Sequence, residues 1–415
     1  MSAKPYPPTA TRDRGRTDWS GVAFGTLIAV LAAHAQFKLP PLLPVLTEAY
    51  GYPNLMAGAM MSIYAAVGLV LSIPVGRWTQ RVGGAPVFAV AIGSIVAGTI
   101  LMMMFPTQVW LVLFARGVEG VGFTILAILG PVITARSAND QHRPLTTGLT
   151  ATWIPLGQLT GIVAAQPALA IGSWQLAWIF GLAVALAIGA WGVVASGRGQ
   201  LPAGSPRRRS GGRTEGLGTT GQRRLLMLAA AVFGLYSLQF MAFMTWLPTY
   251  LVAVQDMGVS EAIWAASVPV VTLLVFNLTG GMLLRMGVGL AVVLTGALCL
   301  QVVVWLVVPF APHGLWGLAI LILYGAGSGT APTCLFALPS VVLGRAAGPR
   351  AFGIILTGRN LGVLIGPVLL GGMAAGATGW QSAAWLFAGL TLLALMLAVG
   401  IGVYRARLVH NGDTD

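Results

Sequence analysis

Long apolar runs, separated by short polar loops, follow one another along almost the whole chain. About 20 apolar residues in a helix cross the roughly 30 Å of a bilayer's hydrocarbon core. Twelve runs meet that length: 19–46, 53–76, 86–104, 107–134, 144–168, 174–196, 225–250, 261–284, 289–309, 314–342, 350–374 and 379–404. Inside lipid every backbone N–H and C=O must bond within its own segment, so the runs predict helices rather than strands. The first run is too long for the core of a cleaved signal peptide and is expected to remain as the first span.

The longest polar interruption, residues 198–224, has no apolar period and is rich in Gly, Ser and Arg, including the run Arg207–Arg209. It reads as a flexible linker. The expected organisation is a tail over 1–18, a six-helix bundle over 19–197, the linker over 198–224, a second six-helix bundle over 225–404 and a tail over 405–415. The bundles echo one another. Residues 76–83, GRWTQRVG, and 280–287, GGMLLRMG, both fit G-x4-R-x-G through Gly76, Arg81, Gly83 and Gly280, Arg285, Gly287. Gln36-Phe37 and a later Leu-Pro pair recur as Gln239-Phe240 and Leu247-Pro248, and Gly120-x-Gly122 recurs as Gly327-x-Gly329. Matches in the same order at displacements of 203 to 207 indicate a duplication, and two related halves around a midplane site are a transporter design. The glycines suit tight loops and close helix contacts, while Arg81 and Arg285 stand where they can bond helix-end carbonyls, a gating or structural role.

Composition sharpens the class. Charged residues make up 8% of the chain, against about 25% in soluble domains, and mean hydropathy is +0.85. The net charge of +13 raises nucleic-acid binding, but the basic residues punctuate apolar helices instead of forming one face. Of the 23 Lys and Arg, 20 fall in the tails or even-numbered loops, and none in an odd-numbered loop. That sorting predicts an inner-membrane, multi-pass protein with both termini cytoplasmic. Cys299 and Cys334 fall inside predicted spans, without metal-ligand spacing.

The three remaining basic residues, Lys38, Arg116 and Arg359, lie within spans. A central Arg costs about 2.5–3.5 kcal/mol to insert, so these groups are expected to face a protein-lined or wet interior. Arg116 and Glu119 are three apart on one helical face, which leaves open a structural ion pair or a proton-responsive switch. Arg359 has no acidic neighbour in its helix, and its planar donor fork suits a carboxylate or similar anion. It is therefore read first as a substrate anchor, with Asn360 beside it, and otherwise as a structural partner to helix-end carbonyls. Lys38 is read either as collecting an anion or as snorkelling. His34 is a candidate for titration, and Gln36, Gln239, Tyr236, Trp153, Gln158 and Asn277 are candidate liners. Arg359, Arg116 and Lys38 against Glu119 would give the cavity a charge of +2. Met282 and Met286 resemble a copper ligand pair.

These motifs resemble the major facilitator superfamily. GRWTQRVG is similar to its loop pattern G-x3-D-R-x-G, with Gln80 where the acidic residue belongs, and Leu284 stands there in the second half. Arg116, Gly120 and Gly122 are similar to its R-x3-G-x-G pattern, which implies a part for Arg116 in proton coupling. The antiporter pattern is not met: the fifth span has IPLGQLTG. FGLYSLQFMAFMTWLPTYL and LGPVITARSANDQHRPLTTGLTATWIPLGQLTG resemble the cyanate and nitroimidazole transporter branch, which implies a small anionic or polar solute.

The expectation is thus an all-α polytopic membrane protein, its 12 transmembrane helices in two pseudo-symmetric bundles. It is expected to move a small anionic solute by alternating access in proton symport, as a monomer among lipids, with no cofactor and no resident metal. Substrate contacts fall to Arg359, Arg116, Lys38, Gln36, Gln239, Asn360 and Tyr236, and proton coupling to Glu119, Arg116 and His34. The alternatives are a proton-driven exporter of small drugs or metabolites, a copper importer and a non-transporting scaffold or sensor. No nucleophile–base set, phosphate loop or metal cluster marks an enzyme.

Overall fold

The computed structural model describes residues 16–139, 141–204, 219–310, 314–343, 349–374 and 376–410. The start of the N-terminal tail, the Arg207–Arg209 run and the end of the C-terminal tail lie outside them. The first half contains α1 (Trp19–Phe37), a 3-10 turn (Pro40–Leu42), α2 (Leu43–Tyr50), α3 (Asn54–Val82), α4 (Gly84–Met104), α5 (Val109–Ser137), α6 (Arg143–Ala151), α7 (Trp153–Ala170) and α8 (Gln175–Gly197). The second half contains α9 (Thr220–Ala253), α10 (Val259–Arg285), α11 (Leu290–Val307), α12 (Leu315–Leu343), α13 (Pro349–Met373) and α14 (Gly376–His410).

Eleven stretches among the described residues are long and apolar enough to cross a membrane. The remaining predicted span, the fifth, is broken at Thr152 into α6 and α7. Pro155 explains the break: it has no N–H for the Ala151 carbonyl, and its ring crowds that carbonyl. The first span is broken the same way, because Pro40 and Pro41 end α1 at Phe37 and leave its last carbonyls without helical donors. Large apolar side chains such as Val70, Ile73, Trp110, Phe114, Val193 and Val292 are exposed on the outer faces. In water such a belt is unfavourable; against lipid it is the expected surface.

The duplication is visible in the backbone. Gly83 and Gly287, the last residues of the two loop motifs, share a left-handed φ of 88° and 87°. Packing corrects the register of the other glycine pair. Gly122 lies against the Ala91 carbonyl and Ile95 of α4, and Gly327 makes the corresponding approach to Ala297 and Gln301 of α11. Gly120 lies against Tyr64 of α3 as Gly325 does against Pro269 of α10. The partner of Gly120-x-Gly122 is therefore Gly325-x-Gly327, and the displacement is 205 rather than 207. Gly157 and Gly161, which touch α1, correspond at the same displacement to Gly362 and Gly366, which touch α9.

The halves meet at the end that carries the odd-numbered loops. Asn54 Nδ2 donates to the Ala374 carbonyl (3.1 Å), Gln166 Nε2 to the Ser260 carbonyl (3.2 Å), and Ser260 Oγ back to Gln166 Oε1 (2.7 Å). Gly58 packs on the backbone of Pro367 and Gly371 on that of Asn54. Towards the even-loop end the halves enclose a cavity.

Candidate functional site

The cavity has a volume of about 590 Å³ and takes its wall from both halves. The first half supplies Phe37, Thr134, Thr146, Thr150, Trp153 and Ile154 among others; α9, α10, α12 and α13 supply the rest. Phe233, Tyr236 and Phe240 share one face of α9, at helical spacing. The Tyr236 and Phe240 rings stack at 5.8 Å with an interplanar angle of 10°, and Phe336 stands edge-on to Phe233 at 5.1 Å. The Tyr236 hydroxyl donates to the Ser328 carbonyl (2.7 Å), which fixes the ring and takes its proton away from the cavity.

Among the described residues Arg359 is the one charged side chain on this wall. Its Nη1 donates to Asn360 Oδ1 at 3.0 Å, and among the described residues no carboxylate pairs with it. The backbone beneath is held by a seam of small residues. A Cβ on Gly358, Gly362 or Gly366 would lie 2.1, 2.1 and 2.2 Å from the carbonyl oxygens of Ala230, Gly234 and Leu238 on α9. At the displacement of 205, the position of Arg359 falls in the first half to Ile154, which also lines the cavity. One half thus offers a guanidinium where the other offers an alkyl group.

Arg116, Lys38 and Glu119 are elsewhere, and this corrects their expected place beside the solute path. All three are sealed inside the first half, each at most 1% exposed. Glu119 Oε1 accepts from Lys38 Nζ (2.7 Å) and Thr99 Oγ1 (2.7 Å); Oε2 accepts from Arg116 Nη1 (2.6 Å) and the Tyr64 hydroxyl (2.7 Å). Arg116 also donates to the carbonyls of Ala35 (2.8 Å) and Gln36 (2.8 Å). The Gln36 carbonyl is the one Pro40 cannot serve, so Arg116 caps the broken end of α1, where the helix dipole is negative. Lys38 and Arg116 also stand over the rings of Trp178 and Tyr64, at 5.1 and 4.6 Å. Among the described residues the cavity wall therefore carries +1 from Arg359, not +2, and the sealed cluster carries its own +1 with all three groups ionised.

Gln36 is absent from the cavity wall; its backbone carbonyl serves Arg116. His34 is buried, with Nδ1 3.1 Å from Thr160 Oγ1 and, among the described residues, no partner for Nε2. Gln239 is buried in a neutral network, its Oε1 accepting from Trp305 Nε1 (3.0 Å) and the Tyr324 hydroxyl (3.1 Å). Tyr324 holds in the second half the position of Glu119 in the first. Of the candidate liners, Tyr236, Trp153 and Asn277 reach the cavity and Gln158 does not. Met282 and Met286 are exposed near the end of α10, away from the cavity. Sequence reasoning missed Phe233, Phe240 and Phe336. The signal for the first two was available, since they fall on one helical face with Tyr236.

Comparison with known proteins places the fold. The sequence profile described as Major Facilitator Superfamily matches residues 22–367. No curated protein sequence matches the chain. Among solved structures, a variant of the nucleoside transporter NupG superposes with a TM-score of 0.71 at 15% identity, over 92% of this chain and 99% of that one. A bacterial homolog of the human lysosomal transporter Spinster, inward-facing and occupied, gives 0.71 at 14% identity over 92% and 96%. Its unoccupied form gives 0.69 at 12% over 94% and 97%.

Proposed function

Because the chain belongs to the Major Facilitator Superfamily, and is a membrane transporter rather than an enzyme, we propose that its cavity carries an anionic solute with Arg359 as the anchor. One observation supports this above the others: among the described residues the single charged group on the wall between the halves is a guanidinium without a carboxylate partner. Its cost in the membrane is offset when a solute carboxylate or similar group completes the fork. The resemblance of the seventh, fourth and fifth spans to the cyanate and nitroimidazole branch agrees with such a cargo.

The charge sorting supports a cytoplasmic location for the even-numbered loops and both termini in an inner membrane. The cavity then faces the cytoplasm, as the Spinster homolog's structures are described, and the contacts around Asn54, Gln166 and Gly371 close the outer end. Alternating access exchanges that closure for one at the inner end. A monoanion entering a cell works against about 2.3 kcal/mol per 100 mV of inside-negative potential; a proton moving with it removes that cost. Symport is therefore the favoured coupling, with the monomer as the working unit.

Purified protein in liposomes with an imposed pH gradient tests this. An acidic exterior is expected to drive anion accumulation, and Arg359→Gln to abolish it while leaving folding and insertion intact. Full flux by Arg359→Gln removes the anchor; acid-driven efflux of a neutral or cationic compound replaces symport with export.

A further inference from the structure

From the chemistry of the cavity wall we infer that the solute is an amphipathic organic monoanion: one carboxylate-like head on an aromatic or alkyl body. This rests on the anchor role of Arg359 and narrows it. Among the described residues the wall presents a single cation and no carboxylate. It has no charged group for an ammonium, which disfavours zwitterions and cations. The described residues supply no second cation either, so the second charge of a dianion would be desolvated without a partner there.

The hydroxyls on the wall do little for a sugar-like body. Thr134, Thr146 and Thr150 donate to the carbonyls of Gly130 (3.0 Å), Arg143 (3.1 Å) and Thr146 (2.8 Å), and Tyr236 to that of Ser328 (2.7 Å). Thr333 Oγ1 lies 3.2 Å from Asn277 Oδ1, so that pair is also partly engaged. Beside the Ser237 hydroxyl and the Asn277 amide, the rest of the wall is mainly apolar: the stacked Tyr236 and Phe240, Phe233 and Phe336 on one side, Phe37 and Trp153 on the other. Volume separates organic from inorganic anions. The cavity of about 590 Å³ lies within the usual range for organic ligands, whereas a water-sized ion accounts for about 30 Å³. A small inorganic anion would touch Arg359 and leave the aromatic wall unused.

The test measures binding to the full-length protein in detergent by quenching of tryptophan fluorescence, with thermal stabilisation as a second readout. The probes are benzoate, 3-phenylpropionate and octanoate as monoanions, benzamide as a neutral isostere, phthalate as a dianion and nitrate as an inorganic anion. At least one of the three organic monoanions is expected to bind at least tenfold more tightly than benzamide, phthalate and nitrate, as loss of a charge-assisted bond implies. Phe240→Ala is expected to weaken that monoanion while leaving nitrate unchanged.

Nitrate binding as tightly as the organic monoanions, with both lost in Arg359→Gln, overturns the amphipathic cargo but keeps the anchor. Preference for benzoate over benzamide that survives Arg359→Gln overturns both. Absence of binding by all three organic monoanions to protein that elutes as a single folded species overturns the inference. Arg359→Lys keeps the charge and controls for folding; it should retain the preference for monoanion over neutral at reduced affinity.

Discussion

The sealed cluster makes an asymmetric prediction. Glu119 receives four hydrogen bonds, from Lys38, Thr99, Arg116 and Tyr64, and is the sole negative charge between two cations. Glu119→Gln keeps the shape but turns an NH2 group towards one pair of donors and leaves both cations unpaired. Removing one partner of a buried ion pair costs about 3–5 kcal/mol. For a unit of about 200 residues, where each kcal/mol moves the midpoint by about 2–4 °C, the loss is roughly 6–20 °C. Lys38→Met is the opposite case. It preserves the 2.6 Å pair of Arg116 with Glu119, cancels the excess charge and fills the space with a flexible apolar chain. Its cost should stay below about 1 kcal/mol. Thermal unfolding of solubilised protein, followed by tryptophan fluorescence and by the fraction surviving size exclusion, separates the two. Equal damage by both substitutions refutes the reading of Lys38 as the surplus charge. Tolerance of Glu119→Gln shows that water reaches the cluster, which would refute its sealing.

Other consequences follow from the backbone. Gly83→Ala and Gly287→Ala each cost about 1–3 kcal/mol for a positive φ, but at Gly83 the new Cβ also falls 2.9 Å from the amide of Gly204, while at Gly287 it meets nothing, so chemical denaturation should rank Gly83→Ala as the more damaging. Gly362→Ala places a methyl 2.1 Å from the Gly234 carbonyl and should lose about 1–3 kcal/mol and most of the solute flux, as measured by unfolding and by counterflow. The double substitution Gln166→Ala with Ser260→Ala removes two exposed hydrogen bonds between the halves, each of about 0.5–1.5 kcal/mol. It should favour the state open at the odd-loop end and slow alkylation of a Thr150→Cys reporter in the cavity; unchanged labelling would show that this contact is no latch.

Position along the long helices was legible in the sequence; azimuth was not. Apolar length alone located the long helices, since hydrocarbon admits no other backbone solution. It overran the fifth span because a hydropathy window reads Thr150 to Pro155 as apolar enough and does not register the carbonyl that Pro155 leaves unserved. Arg116 and Arg359 look alike in sequence, each about nine residues into a span. They differ in what faces them: Arg116 has Glu119 one turn away and the proline-broken end of α1 across from it, whereas Arg359 has neither. Glu119 and the proline pair were visible, but that the break on α1 lies opposite Arg116 is a matter of tertiary packing. Thr99 and Tyr64 gave no signal, because a single hydroxyl in an apolar run has many satisfied structural explanations. Spacing brought the repeat within two residues of its register, and only the contacts of Gly122 and Gly327 fixed the remainder.

The glycine seam beneath Arg359 determines how a cargo would travel. With α13 pressed backbone to backbone against α9, the guanidinium has no independent hinge and must ride with the second half as that half rocks. If Arg359 is the anchor, a passenger gripped there would stay nearly still in the frame of α13, while the facing wall of Phe37, Trp153 and Ile154 would move past it. Most of the work of delivery would then fall on the sliding of one apolar wall past a fixed electrostatic grip.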